Sequence, residues 1–240
     1  RAVAVGDIDL ALTGDGEAAA RAIARDGAGH AFELSAEFTT WRVAARAGGW
    51  TVDLCALRGD GIEADLALRD FTVNAVAVPL SGGSAVDPTG GLSDLEAGRL
   101  RAASPSSFSD DPLRILRAAR LASTLGLTVE PGTAELARAA SSRAGEPAGE
   151  RQLVELAALI SGSDPVRGID LLVELGALAG VLPELDALRG VGQNANHHLD
   201  VYEHTIEVLR RTLDLEANLP TFAGDVASEV GELLDAPLAD

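Results

Sequence analysis

The sequence predicts an α+β fold: a mixed-sheet head over residues 1–100, then a remainder built only of helices. Three observations carry that prediction. Short apolar runs with period-two alternation fill the first hundred residues, as in half-buried strands. From Ser109 onward the apolar period changes to 3.6, as in amphipathic helices. A composition of 47% hydrophobic and 23% charged residues over 240 positions supplies a real core, for one domain or two small ones.

Residues 1–12 read as a strand whose apolar positions are Val3, Val5, Ile8, Leu10 and Leu12. Residues 17–25, rich in Ala, read as a short helix. Residues 41–47 and 50–57 read as two strands joined across Gly48-Gly49, a hairpin signal. Residues 62–66 read as a short helix. Residues 71–80, apolar and β-branched, fit either helix or strand. Ser81 to Ser84 and Asp87 to Gly91 read as turns. A longer helix then starts at Asp110-Asp111-Pro112, because acids and Pro suit a first turn, and carries Leu113, Leu116, Ala119 and Leu121. Residues 133–140, 150–161, 165–175 and 201–215 follow as helices. The expected domains are a head over 1–100, a helical neck over 101–162 and a helical body over 163–240.

Composition limits the function classes. No apolar run approaches the roughly 20 residues that span a bilayer, so neither a membrane span nor a membrane partner is expected. The chain starts at Arg1, without Met and without a basic-then-apolar leader. That predicts a native N-terminus upstream of it and no secretory signal. The one cysteine, Cys55, cannot form an internal disulfide, which fits a reducing compartment and a cytoplasmic location. The net charge of -18 argues against a general nucleic-acid surface. Residues 99–151, however, hold eight Arg against six acids, a locally basic helical segment able to meet a polyanion.

The first chemical signal is Gly6-Asp7-Ile8-Asp9-Leu10. Alternation along a strand puts Asp7 and Asp9 on one face. Two carboxylates side by side repel unless a cation lies between them, the arrangement that holds Mg²⁺. Two such ions, about 3.5–4 Å apart, can activate an attacking hydroxyl and stabilise a leaving oxygen. Asp53, in the next apolar strand, is a candidate third ligand. Asp-x-Asp alone also fits a solvated strand edge. The second signal is Arg69-Asp70-Phe71-Thr72-Val73-Asn74. A guanidinium fork matches phosphate oxygens, so Arg69 can bind a triphosphate. Asp70 and Asn74, four apart, would meet on one helical face and could read a ribose hydroxyl. A helix start with an exposed ion pair fits the same residues.

These segments, with Asp87-Pro88-Thr89-Gly90-Gly91, Asp94-Leu95 and Asp111-Pro112-Leu113-Arg114-Ile115-Leu116-Arg117, stand in the order of one family. The sequence resembles class II tRNA nucleotidyltransferases, the CCA-adding enzymes, and the related bacterial poly(A) polymerases. The likeness continues through Glu150-Arg151 and Leu182-Pro183-Glu184-Leu185 into His197-His198-Leu199-Asp200. It implies a polymerase β-like nucleotidyltransferase head followed by helical neck and body. It implies metal binding by Asp7 and Asp9, with Asp53 where some members carry an acid. Arg69 and Asp70 match the triphosphate and ribose segment, and Asp87 to Gly91 a hinge. Asp111 and Arg114 match a protein template for the incoming base, with Arg117 and Arg120 in the same row near the nucleotide. A carboxylate accepting from an amine and a guanidinium donating to an acceptor would select adenine and cytosine. At 100° per residue, Arg114, Arg117 and Arg120 drift by 60° per step and form a broad face.

The implied reaction is attack of a tRNA 3′-hydroxyl on the α-phosphate of CTP or ATP, with Mg²⁺ as cofactor and pyrophosphate leaving. Poly(A) synthesis, or addition of only part of the CCA end, is the alternative within this chemistry. An inactive RNA-binding remnant or an HD-domain hydrolase fragment is the alternative outside it. Leu68 stands where the family usually has a second Arg, Asp110 where Glu is common, and the loop over 58–62 is short. The Gly-containing phosphate-binding turn that precedes the Asp pair in the family is missing. The chain is therefore expected to fold without being fully competent. His197, His198, Asp200 and His204 resemble the opening of an HD metal domain, but no later His follows, so no phosphohydrolase activity is expected.

Overall fold

The computed structural model describes residues 6–35, 39–192 and 199–234. The chain divides into two compact units. One comprises residues up to Ala97 together with Arg101–Ser107; the other comprises Gly98–Leu100 and the chain from Phe108 onward.

The first unit opens with strand β1 (Asp7–Leu12), helix α1 (Gly16–Asp26) and strands β2 (Gly29–Ser35), β3 (Thr40–Ala45) and β4 (Thr51–Ala56). They form a mixed sheet in the order β1-β4-β3-β2. β1 runs parallel to β4, and β4-β3 and β3-β2 are antiparallel. The expected Gly48-Gly49 hairpin joins β3 and β4, and both glycines take positive φ. Strand β2 is absent from the expectation. Its residues Gly-His-Ala-Phe-Glu-Leu-Ser alternate only weakly, and an edge position leaves Phe32 and Leu34 exposed.

Helix α1 covers one face of the sheet. Ala20 and Ala24 pack on Val43, Val52 and Leu54, with Leu10, Leu12, Trp41 and Trp50 around them. Asp15 caps α1 by accepting from Ala18 N. Because side chains alternate, the residues between these apolar positions lie on the opposite face: Asp7, Asp9, Arg42 and Asp53.

After α2 (Ile62–Ala67) the chain is neither the helix nor the strand expected over 71–80. A 3₁₀ turn spans Thr72–Asn74, Phe71 bridges to Ala102, and Ala77 bridges to Val86. Apolar β-branched residues here serve burial from two sides rather than one regular period. Helix α3 (Gly91–Glu96) packs against that turn. A side chain on Gly91 would come within 1.9 Å of the Thr72 carbonyl oxygen, so only glycine permits this approach. Asp87 accepts from Gly91 N at 2.7 Å and Leu92 N at 3.0 Å. Those bonds hold the Asp87 carboxyl below its ordinary range.

The second unit begins with a two-residue strand β5 (Arg99–Leu100), followed by α4 (Ser107–Asp110), which starts at the unit boundary, α5 (Leu113–Leu125) and β6 (Thr128–Val129). Helices α6 (Pro131–Ala140), α7 (Gly149–Ile160), α8 (Pro165–Glu174), α9 (Leu178–Val181), α10 (Pro183–Asp186) and α11 (Val201–Ala217) follow. The last two are α12 (Leu219–Ala223) and α13 (Ala227–Leu234). Helix α5 is the centre, burying Ile115, Leu116, Ala118, Ala119, Leu121 and Ala122 against α7 and α8.

Candidate active site

In the first unit, Asp9 of β1 lies in register beside Asp53 of β4, and Asp53 in register beside Arg42 of β3. Asp7 and Asp9 are exposed, and Thr51 Oγ1 donates to Asp7 Oδ1. Asp53 is in a different state. Arg42 Nε donates to its Oδ1 at 2.6 Å and Arg42 Nη2 to its Oδ2 at 2.7 Å. This fork-to-fork pair, with attraction from Asp7 and Asp9 in addition, holds the Arg42 guanidinium above its ordinary value. Among the described residues no set of three His, Cys, Asp or Glu side chains is gathered tightly enough to enclose a metal. The donors still fit a hard cation: two exposed carboxylates on one strand face, leaving room for the water and phosphate oxygens that Mg²⁺ prefers. Cys55, half-buried on the same strand as Asp53, accepts from Thr40 Oγ1 at 3.6 Å.

Further along, Arg69 Nε and Nη2 donate to Asp65 Oδ2 at 3.1 and 3.0 Å. Arg58 donates to Asp65 Oδ1 through its backbone N–H at 3.1 Å and its Nε at 3.0 Å. Burial alone would raise the Asp65 carboxyl, but these bonds and the Arg69 charge outweigh it and hold it below its ordinary value. Asp70 and Asn74 do meet, with Asn74 Nδ2 donating to Asp70 Oδ1 at 3.2 Å, although a 3₁₀ turn rather than an α-helix brings them together. Asp94, buried, accepts from Thr72 Oγ1 and from Arg101 Nε, both at 2.8 Å. Arg101 Nη2 also donates to the Thr89 carbonyl at 2.6 Å.

In the second unit, Asp111 lies just before α5. Its Oδ1 accepts from Leu113 N at 3.2 Å, and its Oδ2 from Arg151 Nη2 at 2.6 Å. Arg114 stands on the first turn of α5, its backbone N–H donating to the Asp111 carbonyl at 3.1 Å. Arg117 Nη1 and Arg120 Nε converge on the buried Glu155 of α7, at 2.5 and 2.6 Å. The broad arginine face is thus split between Arg114 and a pair tied to one carboxylate.

His197 and His198 lie outside the described residues. Asp200 is the N-cap of α11: its Oδ1 accepts from Glu203 N and its Oδ2 from Gly190 N, both at 2.7 Å. These bonds hold its carboxyl low. Sequence reasoning missed Arg42, Asp65 and Glu155, and gave Asp94 no role beyond its place in the family's order. For Arg42 and Glu155 the signal was a charged residue inside an apolar stretch, Thr-Trp-Arg-Val-Ala-Ala and Leu-Val-Glu-Leu-Ala-Ala; Asp65 and Asp94, beside other acids, carried none.

A mixed sheet with a two-carboxylate strand, an arginine-rich segment after it and a helical continuation define the class: a nucleotidyltransferase fold. Residues 2–101 match the family described as the poly A polymerase head domain, and residues 126–189 the probable RNA and SrmB-binding site of polymerase A. The A-adding tRNA nucleotidyltransferase of Deinococcus radiodurans is 44% identical over 218 residues, covering 89% of this chain and 49% of that protein. The CC-adding tRNA nucleotidyltransferase of Halalkalibacterium halodurans is 43% identical over 148 residues, covering 61% of this chain and 39% of that protein. The Thermotoga maritima CCA-adding enzyme, solved with tRNA, superposes with a TM-score of 0.69 at 27% identity, over 88% of this chain and 50% of that one. The chain belongs to the family of tRNA nucleotidyltransferases and poly(A) polymerases. It spans half or less of the length of these relatives. Nucleotidyltransferases of this kind generally use divalent metal ions. No helix among the described residues is long and apolar enough to cross a membrane.

Proposed function

We propose that the protein is a template-independent RNA nucleotidyltransferase that adds CMP and AMP, from CTP and ATP, to tRNA 3′ ends. The carrying observation is the exposed Asp7–Asp9 pair on one strand face, with Asp9 in register beside Asp53, within a head-domain match. Asp7 and Asp9 would hold Mg²⁺, which when bound supplies positive charge at the reacting phosphate and acidifies the attacking hydroxyl. Arg42 donates to both oxygens of Asp53 and fixes its orientation. Arg69 neutralises triphosphate charge, and Asp70 with Asn74 orients the ribose. Asp111 accepts from an exocyclic amine, and Arg114 donates to the neighbouring ring nitrogen or carbonyl. Adenine and cytosine present that edge; uracil and guanine do not. Arg117 and Arg120 act through Glu155, which locks the α5–α7 packing behind Arg114. Residues 101–162 serve as the neck and 163–240 as the body, in a cytoplasmic enzyme.

Partial addition is the second reading, favoured by relatives named A-adding and CC-adding. Labelled CTP and ATP, alone and together, offered to tRNA transcripts ending before each position of the CCA end, separate the readings. Ordered addition that stops after CCA is expected. Addition of only A, or only CC, gives the second reading. Long A tracts from ATP alone would make the protein a poly(A) polymerase. A folded full-length protein, carrying the phosphate-binding turn upstream of Asp7 and supplied with Mg²⁺, that incorporates nothing would overturn the proposal.

A further inference from the structure

Arg58 was not among the expected site residues, and Asp65 was read only as part of a short helix. Asp65 is 1% exposed. A carboxylate buried to that extent is costly unless its oxygens are fully engaged. Here both are. Arg58, two residues past the end of β4, satisfies one; Arg69, just past the end of α2, satisfies the other. Two guanidiniums that would repel each other are thereby fixed on one anchor. The anchor is buried, but its two cations are not: the Arg58 and Arg69 side chains are 41% and 30% exposed. Arg58 spends only its Nε and backbone N–H on Asp65, and among the described residues its two Nη groups have no hydrogen-bond partner. The two guanidiniums outweigh the carboxylate they share by one positive charge, and the Arg58 Nη groups remain as donors, in a stretch that also carries Asp60, Glu63 and Asp70.

We propose that Asp65 is a positioning residue that sets Arg58 beside Arg69 as a two-armed clamp for a phosphate group. The planar forks match phosphate oxygens, and a shared anchor removes most of the entropy that two free arginines would lose on binding. The phosphate is that of the nucleoside triphosphate or of the RNA backbone. The inference rests on the reading of the protein as a nucleotidyltransferase.

Binding assays test it without turnover. Inorganic tripolyphosphate is titrated calorimetrically, and a short single-stranded RNA is titrated across a salt series, with wild type, Arg58→Ala, Arg58→Lys and Asp65→Asn. Thermal melts accompany each variant. Arg58→Ala, half-exposed and with a melting temperature near wild type, should weaken one of the two ligands about tenfold. A tripolyphosphate loss assigns the clamp to the triphosphate. An RNA loss, with the salt slope reduced by about 0.7, assigns it to the backbone. Arg58→Lys should rescue only in part, since it keeps the charge and loses the fork. Asp65→Asn should weaken the same ligand at least as much. If Arg58→Ala binds both ligands as wild type does, the clamp is wrong. Full rescue by Lys refutes the fork. Wild type that binds both ligands yet incorporates no nucleotide leaves the clamp standing and overturns the proposed function instead.

Discussion

Replacing Asp7 by Asn separates charge from shape at the carboxylate strand. Asn keeps an oxygen for the Thr51 hydroxyl and the same side-chain volume, so only the negative charge is lost. Two positions along a strand, about 7 Å, separate Asp7 from Asp9. Unit charges at that distance repel by about 2.4 kcal/mol at an effective dielectric of 20 and by about 0.6 kcal/mol in water. Both groups are exposed, so the lower figure governs. The variant loses part of the attraction to Arg42 as well, which offsets the relief. Stability should therefore change by less than about 1 kcal/mol, a melting shift within about 4 °C for a chain of this size. Incorporation should fall by more than about 100-fold, the scale of losing a preorganised charge at the reacting centre. Calorimetric Mg²⁺ titration and labelled-CTP incorporation, run with thermal melts, check both halves. If Asp7→Asn keeps a tenth or more of wild-type incorporation, the pair does not hold the catalytic metal. If it melts more than about 8 °C low, the carboxylate is structural.

Asp94→Ala should destabilise the protein by about 3–5 kcal/mol in urea unfolding, because it orphans the fully buried Thr72 hydroxyl and strips Arg101 of its buried partner. Adding Thr72→Val to that variant should recover about 1 kcal/mol by removing the orphaned hydroxyl, and no recovery would mean that Thr72 is satisfied elsewhere. Arg114→Ala should blur selection of CTP and ATP over UTP and GTP while leaving tRNA affinity within about twofold. Unchanged base preference in competition assays would remove Arg114 from the template role. Asp65 and Asp87 are both held below their ordinary value of 3.8 when folded. Their contribution is therefore complete above that value and lost as pH falls through the lower folded values. The urea midpoint should stay level from pH 7 to about 5 and drop below about 4, less steeply in Asp65→Asn. A wild-type midpoint that holds to pH 2.5 would contradict the assignment.

Periodicity and chemistry made part of this protein readable in advance. Side chains alternate along any strand, so Asp7 and Asp9 had to share a face whatever β1 paired with. The shift to a 3.6 period located α5, α6, α7, α8 and α11 to within a few residues, while the short helices α4, α9, α10, α12 and α13 are too brief to show a period. The carboxylate strand, the segment from Arg69 to Asn74 and the start of α5 were legible because each packs polar residues tightly between apolar ones. Partnerships were not legible. Arg42 meets Asp53 only because the antiparallel register, set by the turn between the two strands, places residue 42 opposite residue 53, a pairing that neither strand's own residues reveal. Asp65 anchors residues seven before and four after it, around a helix end and a turn. Thr72, Asp94 and Arg101 meet because Gly91 lets two backbones approach where a methyl group would collide. Local preference decides which face a side chain takes. Which charge neutralises it is decided by contacts between residues distant in sequence, since a buried ion is stable only beside the partner that folding delivers.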